Sequence, residues 1–429
     1  MIRILQYGQI PDEEIFARAD YAANVEDVVS AIIQKVREEG DEALFAFAKK
    51  FDGAELTSLQ VSREEMDEAI SLMEPEFLRI LERAAANIRR FHSAQVRNSF
   101  VINDTPGVVM GQKIVPVDRA GLYVPGGTAA YPSSVLMAAI PAKIAGVKEV
   151  LITTPPGKDG KIAPAILAAA HVAGVDSIFK VGGAQAIAAL AYGTQSIPRV
   201  DKITGPGNAF VAEAKKQVYG QVSIDMIAGP SEILIISDDR SDPAHIAADL
   251  LSQAEHDKNS SAVLVTDSMD FALKVQAQLE EQILLLEREE IARASIDQNG
   301  KIIVASSIEQ SIEISNNIAP EHLELCIDDP FGWLDSIRHA GSIFMGRNCP
   351  EALGDYMAGP NHTLPTSGSA RFASPLSVDD FIKKTQYTYF TREALADLAE
   401  DVAYFARKEG LTGHARSAII RTENDKVQV

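Results

Sequence analysis

Two successive series of short apolar runs and helical segments, between residues 133 and 345, constrain the fold most. In the first series the runs EVLITT, SIFKVG and EILIIS alternate with helix-like stretches such as IAPAILAAAHVAG and GAQAIAALAYG. In the second, AVLVT, KIIVA, HLELCI and GSIFM alternate with helices expected at 243–255, 268–285 and 307–317. Short continuous apolar strands fit a sheet covered on both faces. We therefore predict an α/β fold with two units, each built on a parallel sheet.

The segments that flank these series differ from them in composition and in the spacing of apolar residues. Residues 25–98 carry the apolar spacing of amphipathic helices, and the last 40 or so residues read as helical again. Residues 346–380 are rich in Gly, Pro and Ser, which predicts a long functional loop. We expect four parts: a helical N-terminal segment, two α/β domains and a helical C-terminal tail, at 1–100, 101–236, 237–380 and 381–429.

Composition narrows the class of protein. A chain of 429 residues that is 46% hydrophobic can build two or more cores, because single cores stop growing at about 250–300 residues. With 40 Lys+Arg against 60 Asp+Glu and no basic run, neither nucleic acid nor a membrane is an expected partner. The N-terminus turns acidic too early for a signal peptide, and Cys326 and Cys349 make no disulfide framework. We expect a soluble cytoplasmic protein.

A glutamine and a histidine lie close together in LLSQAEHDK, at the end of an expected helix. Asp242 suits its N-cap, and Pro243 suits its first position. Gln253 and His256 are three residues apart, so they share one face. One interpretation is a favourable charge or a capped polar group at a helix C-terminus. The other is a pair of oxygen and nitrogen ligands that face a metal.

Three further clusters contain acid and imidazole groups. Glu321 and His322 enter the strand HLELCI and suit general acid–base work, although neighbours on an extended strand point to opposite faces. A solvated pair at a strand edge is the alternative. Asp355 lies in GDYMAGPNHTLPTSGSARF, and Glu409 and His414 flank the turn in ARKEGLTGHARSAII, where turn formation and capping are the plainer interpretations.

These clusters supply nitrogen and oxygen ligands without a thiolate. The candidate set of His256, His414, Asp355 and Gln253 suits Zn²⁺, and Mn²⁺ or Co²⁺ also accept such ligands. His362 lies in the same loop as Asp355 and receives no role from the sequence.

Glycine-rich loops are the remaining feature that can carry chemistry. They occur in LYVPGGTAAYPSS, KVGGAQAIAAL, ITGPGNAF and IAGPSEILI. Such loops let a backbone approach a phosphate at a helix N-terminus, although each is also explained by a tight turn. The fingerprint G-x-G-x-x-G is absent. Four such loops in one α/β series favour a nucleotide or phosphate ligand.

Eight blocks in order make the chain resemble the histidinol dehydrogenase family over nearly its whole length. They are GLYVPGG, VGGAQAIAALAYGT, ITGPGNAFV, DMIAGPSE, LLSQAEHD, NIAPEHLE, GDYMAGPNHTLPTSGSARF and EGLTGHARS. The resemblance implies two incomplete Rossmann-like domains and a cytoplasmic homodimer. It also implies oxidation of L-histidinol to L-histidine through bound L-histidinaldehyde, with two NAD+ and one zinc, in the final steps of histidine biosynthesis.

The same resemblance implies a role for each candidate residue. The zinc ligands would be Gln253, His256, Asp355 and His414. His322 would take the alcohol proton, and Glu321 would activate water for the aldehyde. The substrate would contact these four ligands together with Ser231, His322 and Glu409, and the dinucleotide would contact Tyr123, Gln185 and Asn208. Glu409 and His414 would reach the active site of the partner subunit, and both cysteines would be structural.

Other functions remain open at this stage. A related zinc- and NAD-dependent dehydrogenase of another small alcohol, such as a sulfonated diol, would keep His322 and the zinc ligands. Glu409 and His414 within EGLTGHARS favour histidinol. A metal-dependent hydrolase or lyase would leave the four glycine loops without a role. A non-catalytic binding module would leave the Glu321–His322 pair unexplained.

Overall fold

A computed structural model describes residues 1–18, 24–126 and 130–423. The β-strands, in chain order, are β1 (Arg3–Gln6), β2 (Phe100–Ile102), β3 (Val108–Pro116), β4 (Arg119–Tyr123), β5 (Glu149–Thr154), β6 (Ser177–Lys180), β7 (Lys202–Thr204), β8 (Ser223–Ile224), β9 (Glu232–Ser237), β10 (Ser261–Thr266), β11 (Lys301–Val304), β12 (His322–Cys326), β13 (Ser342–Met345) and β14 (Ile382–Phe390).

Helices connect most of these strands. In chain order they are α1 (Asp12–Ile15), α2 (Glu26–Glu39), α3 (Asp41–Phe47), α4 (Arg63–Ser71), α5 (Pro75–Ser93), α6 (Pro132–Ala145), α7 (Pro164–Ala173), α8 (Gly183–Tyr192), α9 (Ala209–Val218), α10 (Pro243–Ala254), α11 (Met269–Gln282), α12 (Glu289–Asn299), α13 (Ile308–Ile318), α14 (Glu351–Tyr356), α15 (Arg392–Lys408) and α16 (Thr412–Ile419). A π-helical turn spans Ala48–Asp52, and short 3₁₀ turns span Ile283–Leu285, Phe331–Ser336, Ser369–Arg371 and Val378–Phe381.

The first parallel sheet has five strands in the order β6-β5-β4-β7-β8. Numbered along the chain, this order is 3-2-1-4-5, which is the Rossmann order without its sixth strand. The order reverses between β4 and β7. In such sheets a crevice forms outside the carboxyl ends of the two strands at the reversal, so this edge is a natural ligand site.

The second parallel sheet repeats the order 3-2-1-4-5 with β11-β10-β9-β12-β13 and adds β1 beside β11. The predicted α/β class with two parallel sheets is therefore confirmed. The strand Arg3–Gln6 was not predicted, because its four residues lie in a segment expected to be helical. The expected domain boundary at residue 236 falls inside β9.

Helices cover both faces of these sheets, so the strands are apolar throughout. One side of the first sheet packs against α6 and α7 and the other against α2, α8 and α9, while Leu234 and Ile235 of β9 belong to different core clusters. Helix α8 is buried along nearly its whole length, since it is sandwiched between β4 and α2. This double coverage explains why the strands show no polar alternation.

A separate compact unit comprises Val96–Pro116 and the described residues from Ile382 onward. Its sheet is antiparallel, in the order β14-β3-β2, and α15 and α16 pack against each other. The prediction that the last segment is wholly helical was wrong for Ile382–Phe390. The run KKTQYTYF is rich in Thr and aromatic residues, which favour strands.

The glycine- and proline-rich region at 346–380 is more ordered than predicted, because it contains α14. None of the helices in the described part of the chain is long and apolar enough to cross a membrane.

Candidate active site

The predicted acid–base pair lies where β12 enters the second sheet beside β9. The side-chain Oε2 of Glu321 accepts a hydrogen bond from the backbone N–H of Glu232 over 2.8 Å. Nδ1 of His322 lies 3.0 Å from the backbone carbonyl oxygen of Glu232 and 3.6 Å from Oε2 of Glu321. The two neighbouring side chains therefore share one site, and a single residue of β9 contacts both.

The turn that allows this arrangement comes from the end of α13. Ala319 caps this helix in the left-handed conformation, with φ 51° and ψ 64°, and Pro320 follows. That conformation costs a non-glycine residue roughly 1–2 kcal/mol. Glu321 itself lies at a bend just before β12 begins at His322, so the alternation of an extended strand does not apply to this pair.

Burial sets the protonation of the pair. Only 4% of His322 and 6% of Glu321 is exposed. Burial lowers the pKa of His322 to about 4, and burial raises the pKa of Glu321 well above its usual value. The imidazole is therefore neutral near pH 7. Since a carbonyl oxygen only accepts, Nδ1 carries the ring proton and Nε2 keeps a free lone pair.

Asp355 lies in the short helix α14, so its assignment to a loop was wrong. The helix begins after Pro350, whose fixed φ suits a helix start. Oδ1 of Asp355 lies 3.3 Å from Nδ1 of His362, and Nε2 of His362 lies 3.4 Å from Oγ of Ser134 in α6. Burial opposes ionisation of Asp355, but the hydrogen bond to His362 and nearby imidazoles lower its pKa to about 2. His362 thus connects the acid to a helix of the first sheet.

Glu351 is a site residue that sequence reasoning missed. Its Oε1 lies 3.6 Å from Nε2 of His322, and this oxygen is buried without a hydrogen-bond partner in the described part of the chain. Burial, reinforced by Asp355, raises the pKa of Glu351 to about 8. The sequence signal was present, because Glu351 precedes Asp355 by four residues, which is one helical turn.

Gln253 and His256 lie at the end of α10, where they were predicted. Asp242 caps the helix by accepting from the N–H of Ala244 over 2.9 Å. Nε2 of Gln253 lies 3.2 Å from Nδ1 of His256, and Oε1 of Gln253 is buried with no partner among the described residues. Burial of the ring lowers the pKa of His256, although the residue as a whole is exposed.

The cluster has the donor chemistry of a zinc site. Asp355 is ionised, the pKa of His256 is lowered so that its ring is neutral, and Oε1 of Gln253 lacks a partner, so no ligand has to lose a proton. Asp355 interacts electrostatically with His256, which places the two in one neighbourhood. A second set of candidate ligand atoms overlaps this cluster: atoms of His322, Glu351 and Asp355 lie within 4.8 Å of one another.

Two predicted residues belong to the other compact unit. Glu409 is the C-cap of α15, Gly410 follows with φ +78°, and His414 lies in the first turn of α16. This confirms the predicted helix stop and start. Both side chains are exposed in the single chain. Ser231, predicted as a substrate contact, directly precedes β9 and is partly buried.

A cavity of about 1070 Å³ opens at the carboxyl edge of the first sheet. It is lined by all three predicted dinucleotide contacts, Tyr123, Gln185 and Asn208. Tyr123 ends β4 and Asn208 follows β7, so both flank the point where the strand order reverses. The volume is at the upper end of the roughly 300–1,000 Å³ of small-molecule sites. The glycine loop GLYVPGG and the residues that follow it include positions 127–129, which lie outside the described residues.

Two helix N-termini point at this cavity. The backbone N–H of Gly183 in α8 donates to Oη of Tyr123 over 3.1 Å. Oδ1 of Asn208 caps α9 by accepting from Phe210 and Val211, over 3.1 and 3.2 Å. Its amide nitrogen is therefore the group left to face a ligand. Helix N-termini favour anions, so the cavity suits the pyrophosphate of a dinucleotide.

The corresponding edge of the second sheet is closed by an ion-pair network. Arg347 bonds to both oxygens of Asp238, over 2.6 and 2.8 Å, and also pairs with Asp328. Asp238 directly follows β9, and Asp328 lies just beyond β12. The carboxyl ends at this reversal are thus held together by charge, and the acid–base cluster occupies the opposite, amino edge.

Comparisons with known proteins agree with the sequence resemblance. The model of the histidinol dehydrogenase family matches residues 17–422. A histidinol dehydrogenase of Syntrophotalea carbinolica is 56% identical over 93% of each chain, and one of Clostridium acetobutylicum is 53% identical over 98% of this chain and 99% of its own. The crystal structure of histidinol dehydrogenase from Elizabethkingia anophelis is 39% identical, covers 99% of both chains and superposes with a TM-score of 0.94.

Proposed function

Because the chain belongs to the histidinol dehydrogenase family and is an oxidoreductase, we propose that it oxidises L-histidinol to L-histidine with two NAD+. The reaction passes through bound L-histidinaldehyde and completes histidine biosynthesis. The observation that carries this proposal is the pair Glu321–His322, which is held by Glu232 within the acid and imidazole cluster. When bound, NAD+ would supply the hydride acceptor for each oxidation, and a zinc ion held by Gln253, His256 and Asp355 would orient the alcohol.

His322 acts as the base of the first step. Nε2 is the free nitrogen of a neutral imidazole, so it takes the hydroxyl proton while the C–H bond breaks and the aldehyde forms. Nδ1 keeps its proton and donates a hydrogen bond to the backbone carbonyl oxygen of Glu232. This bond fixes the ring orientation and gives the resulting imidazolium an acceptor. The buried site excludes bulk water from the charge that develops.

Glu321 acts in the second step. A carboxyl group whose pKa is raised by burial is a stronger base once it is ionised, so Glu321 removes a proton from the water that adds to the aldehyde carbon. As the water adds, the imidazolium of His322 returns its proton to the former carbonyl oxygen and becomes neutral again. His322 then takes a hydroxyl proton from the hydrated aldehyde as the second C–H bond breaks. Two bases within 3.6 Å of each other thus serve the same carbon in succession.

Gln253, His256 and Asp355 would hold the zinc, with His414 as the fourth protein ligand. Orientation of the alcohol by this site lowers the entropic cost of reaching the reactive geometry. We further propose a homodimer in which Glu409 and His414 enter the active site of the partner subunit. The exposure of both side chains supports this, as do the exposed large apolar side chains of α15, Val402, Tyr404 and Phe405.

The proposal is tested by counting NADH formed per L-histidinol consumed, with zinc-loaded protein and limiting substrate. Two NADH together with L-histidine are expected. One NADH with released aldehyde would indicate a simple alcohol dehydrogenase. No NADH from histidinol, with turnover of a sulfonated diol, would reassign the substrate within the same reaction class.

A further inference from the structure

Asp52 brings a carboxylate into the dinucleotide cavity from a part of the chain that sequence reasoning did not connect with it. It ends the π-helical turn Ala48–Asp52, and Gly53 follows in the left-handed conformation with φ +68°. Asp52 lines the cavity together with Tyr123, Gln185 and Asn208. Its Oδ2 is buried, and no hydrogen-bond partner for it occurs among residues 1–18, 24–126 and 130–423.

A buried acceptor without a partner is costly unless a ligand satisfies it. Burial raises the pKa of Asp52 to about 6, so the group is still mainly ionised at neutral pH. Its charge also acts on Tyr123, which marks the reversal point of the first sheet. An ionised carboxylate accepts hydrogen bonds and donates none, so the ligand group that it fits is a hydroxyl or another donor.

The position that normally supplies such an acid is different in this sheet. Rossmann domains place an Asp or Glu after the second strand, where it binds the hydroxyl groups of the adenosine ribose. Here the second strand, β5, ends at Thr154, and the acid in the loop that follows, Asp159, also lines the cavity. Oδ1 of Asp159 already accepts a hydrogen bond from the backbone N–H of Lys161 over 3.1 Å, whereas Oδ2 of Asp52 has no partner among the described residues. The same cavity is lined by the exposed apolar side chains of Val28, Phe51 and Leu72, which are groups that can pack against a purine base.

We propose that Asp52 accepts hydrogen bonds from the adenosine ribose of the dinucleotide and thereby selects NAD+ over NADP+. A 2′-phosphate would replace the donor with a dianion beside a fixed carboxylate, and like charges at short range repel. This inference rests on the proposed use of NAD+ and adds the residue that discriminates between the two cofactors.

Equilibrium binding to the full-length protein tests the inference without relying on turnover. Calorimetric titrations with NAD+, NADP+ and the NAD+ analogue that lacks the adenosine 2′-hydroxyl are compared for wild type, Asp52→Asn and Glu55→Gln. Glu55 is the matched control, because it lies three residues away, is fully exposed and pairs with Lys49. Values of kcat/KM for both cofactors with saturating histidinol give a second readout.

Wild type should bind NAD+ about tenfold or more tightly than either NADP+ or the deoxy analogue, because loss of a hydrogen bond to a charged group weakens binding by about this factor. In Asp52→Asn both preferences should shrink to within about threefold, and Glu55→Gln should keep them. The inference is wrong if Asp52→Asn keeps the preference for NAD+.

Binding of the deoxy analogue to wild type requires no variant. This measurement therefore tests the role of Asp52 even if Asp52→Asn does not fold. Equal binding of NAD+ and the analogue to wild type would overturn the role of Asp52. A wild type that discriminates between cofactors but makes no NADH from histidinol would overturn the proposed substrate and support the role of Asp52. A wild type that makes two NADH per histidinol and uses NADP+ as well as NAD+ would support the proposed substrate and overturn the role of Asp52.

Discussion

Nδ1 of His322 donates a hydrogen bond to the backbone carbonyl oxygen of Glu232 over 3.0 Å. This contact fixes the tautomer, because the proton on Nδ1 leaves Nε2 as the basic nitrogen. The N–H of the same Glu232 binds Glu321. Both predicted bases are therefore aligned by the backbone of a central strand, and strand backbones are among the most rigid parts of a fold.

Removal of His322 should abolish most oxidation and spare the metal. His322→Ala should lower kcat by about 10²–10⁴-fold, the usual contribution of a general base. Zinc content, measured by elemental analysis, should stay at the wild-type level. His171→Ala, on the exposed surface of α7, is the control and should change neither quantity. Because atoms of His322, Glu351 and Asp355 form a compact set, loss of zinc in His322→Ala would make His322 a ligand instead.

The two oxidation steps should respond differently to Glu321→Gln. The amide oxygen of glutamine can still accept from the N–H of Glu232, so the fold around the site is kept, but the base is lost. Rapid-quench measurement of each step should show slower aldehyde oxidation, by about 10²-fold, with a smaller change in alcohol oxidation. His322→Asn is the contrast and should slow both. Equal slowing by Glu321→Gln would remove its water-activating role.

Sharing of active sites between subunits can be tested by mixing inactive chains. If His414 serves the partner, a hybrid of His414→Ala and His322→Ala chains contains one intact site and one doubly altered site. Random exchange makes half of the dimers hybrids, so about a quarter of wild-type activity should return. Mass spectrometry must first show that the subunits have exchanged. If verified hybrids are inactive, each site is built within one chain.

Ionisation of Asp52 should lower the free energy of unfolding as the pH rises. Its pKa is about 6 when folded and about 3.9 when unfolded, so the folded state holds the extra proton between these values. Stability contributed by this group is therefore present below pH 4 and is lost as the pH rises through 6. The upper bound is about 3 kcal/mol, which partial solvent access reduces to about 1 kcal/mol.

Thermal unfolding of wild type and Asp52→Asn at pH 5 and pH 7.5 measures this cost. The variant should gain stability relative to wild type as the pH rises, because asparagine never ionises. Glu55→Gln should show no such trend, since that carboxylate is fully exposed. A variant advantage that does not change with pH would mean that the folded and unfolded states bind equal numbers of protons, so the pKa of Asp52 would not be raised in the folded protein.

Local pattern was enough to predict the elements and several of their ends. The helix that begins after Asp242 and the stop at Gly410 were predicted, because caps and left-handed glycines act within a few residues. Where the pattern was weak the prediction failed. Arg3–Gln6 is too short to show a period, and the strand Ile382–Phe390 was hidden beside two helices.

For the candidate active site, local pattern was less informative than the contacts between distant segments. Gln253, Glu321, His322 and Asp355 were candidates from residue type and local motif, and the family resemblance implied their roles, whereas Glu351 and Glu232 were missed. Nε2 of His322 approaches Glu351 across 29 positions of sequence, and its Nδ1 approaches Glu232 across 90. No local spacing encodes such contacts, because they depend on which strands are neighbours and in what register.

The sequence by itself determined the two parallel sheets, since runs of apolar residues without polar alternation can be buried only when helices cover both faces. Tertiary structure alone decided how the sheets are used. Pairing of β9 with β12 brings Glu232 to Glu321 and His322 at the amino edge, while Arg347 closes the carboxyl edge with Asp238 and Asp328. In the first sheet the same strand order leaves the carboxyl edge open as a cavity with Asp52 in its wall. The physical reason is that burial is a property of each segment, whereas an active site is a property of distances between segments.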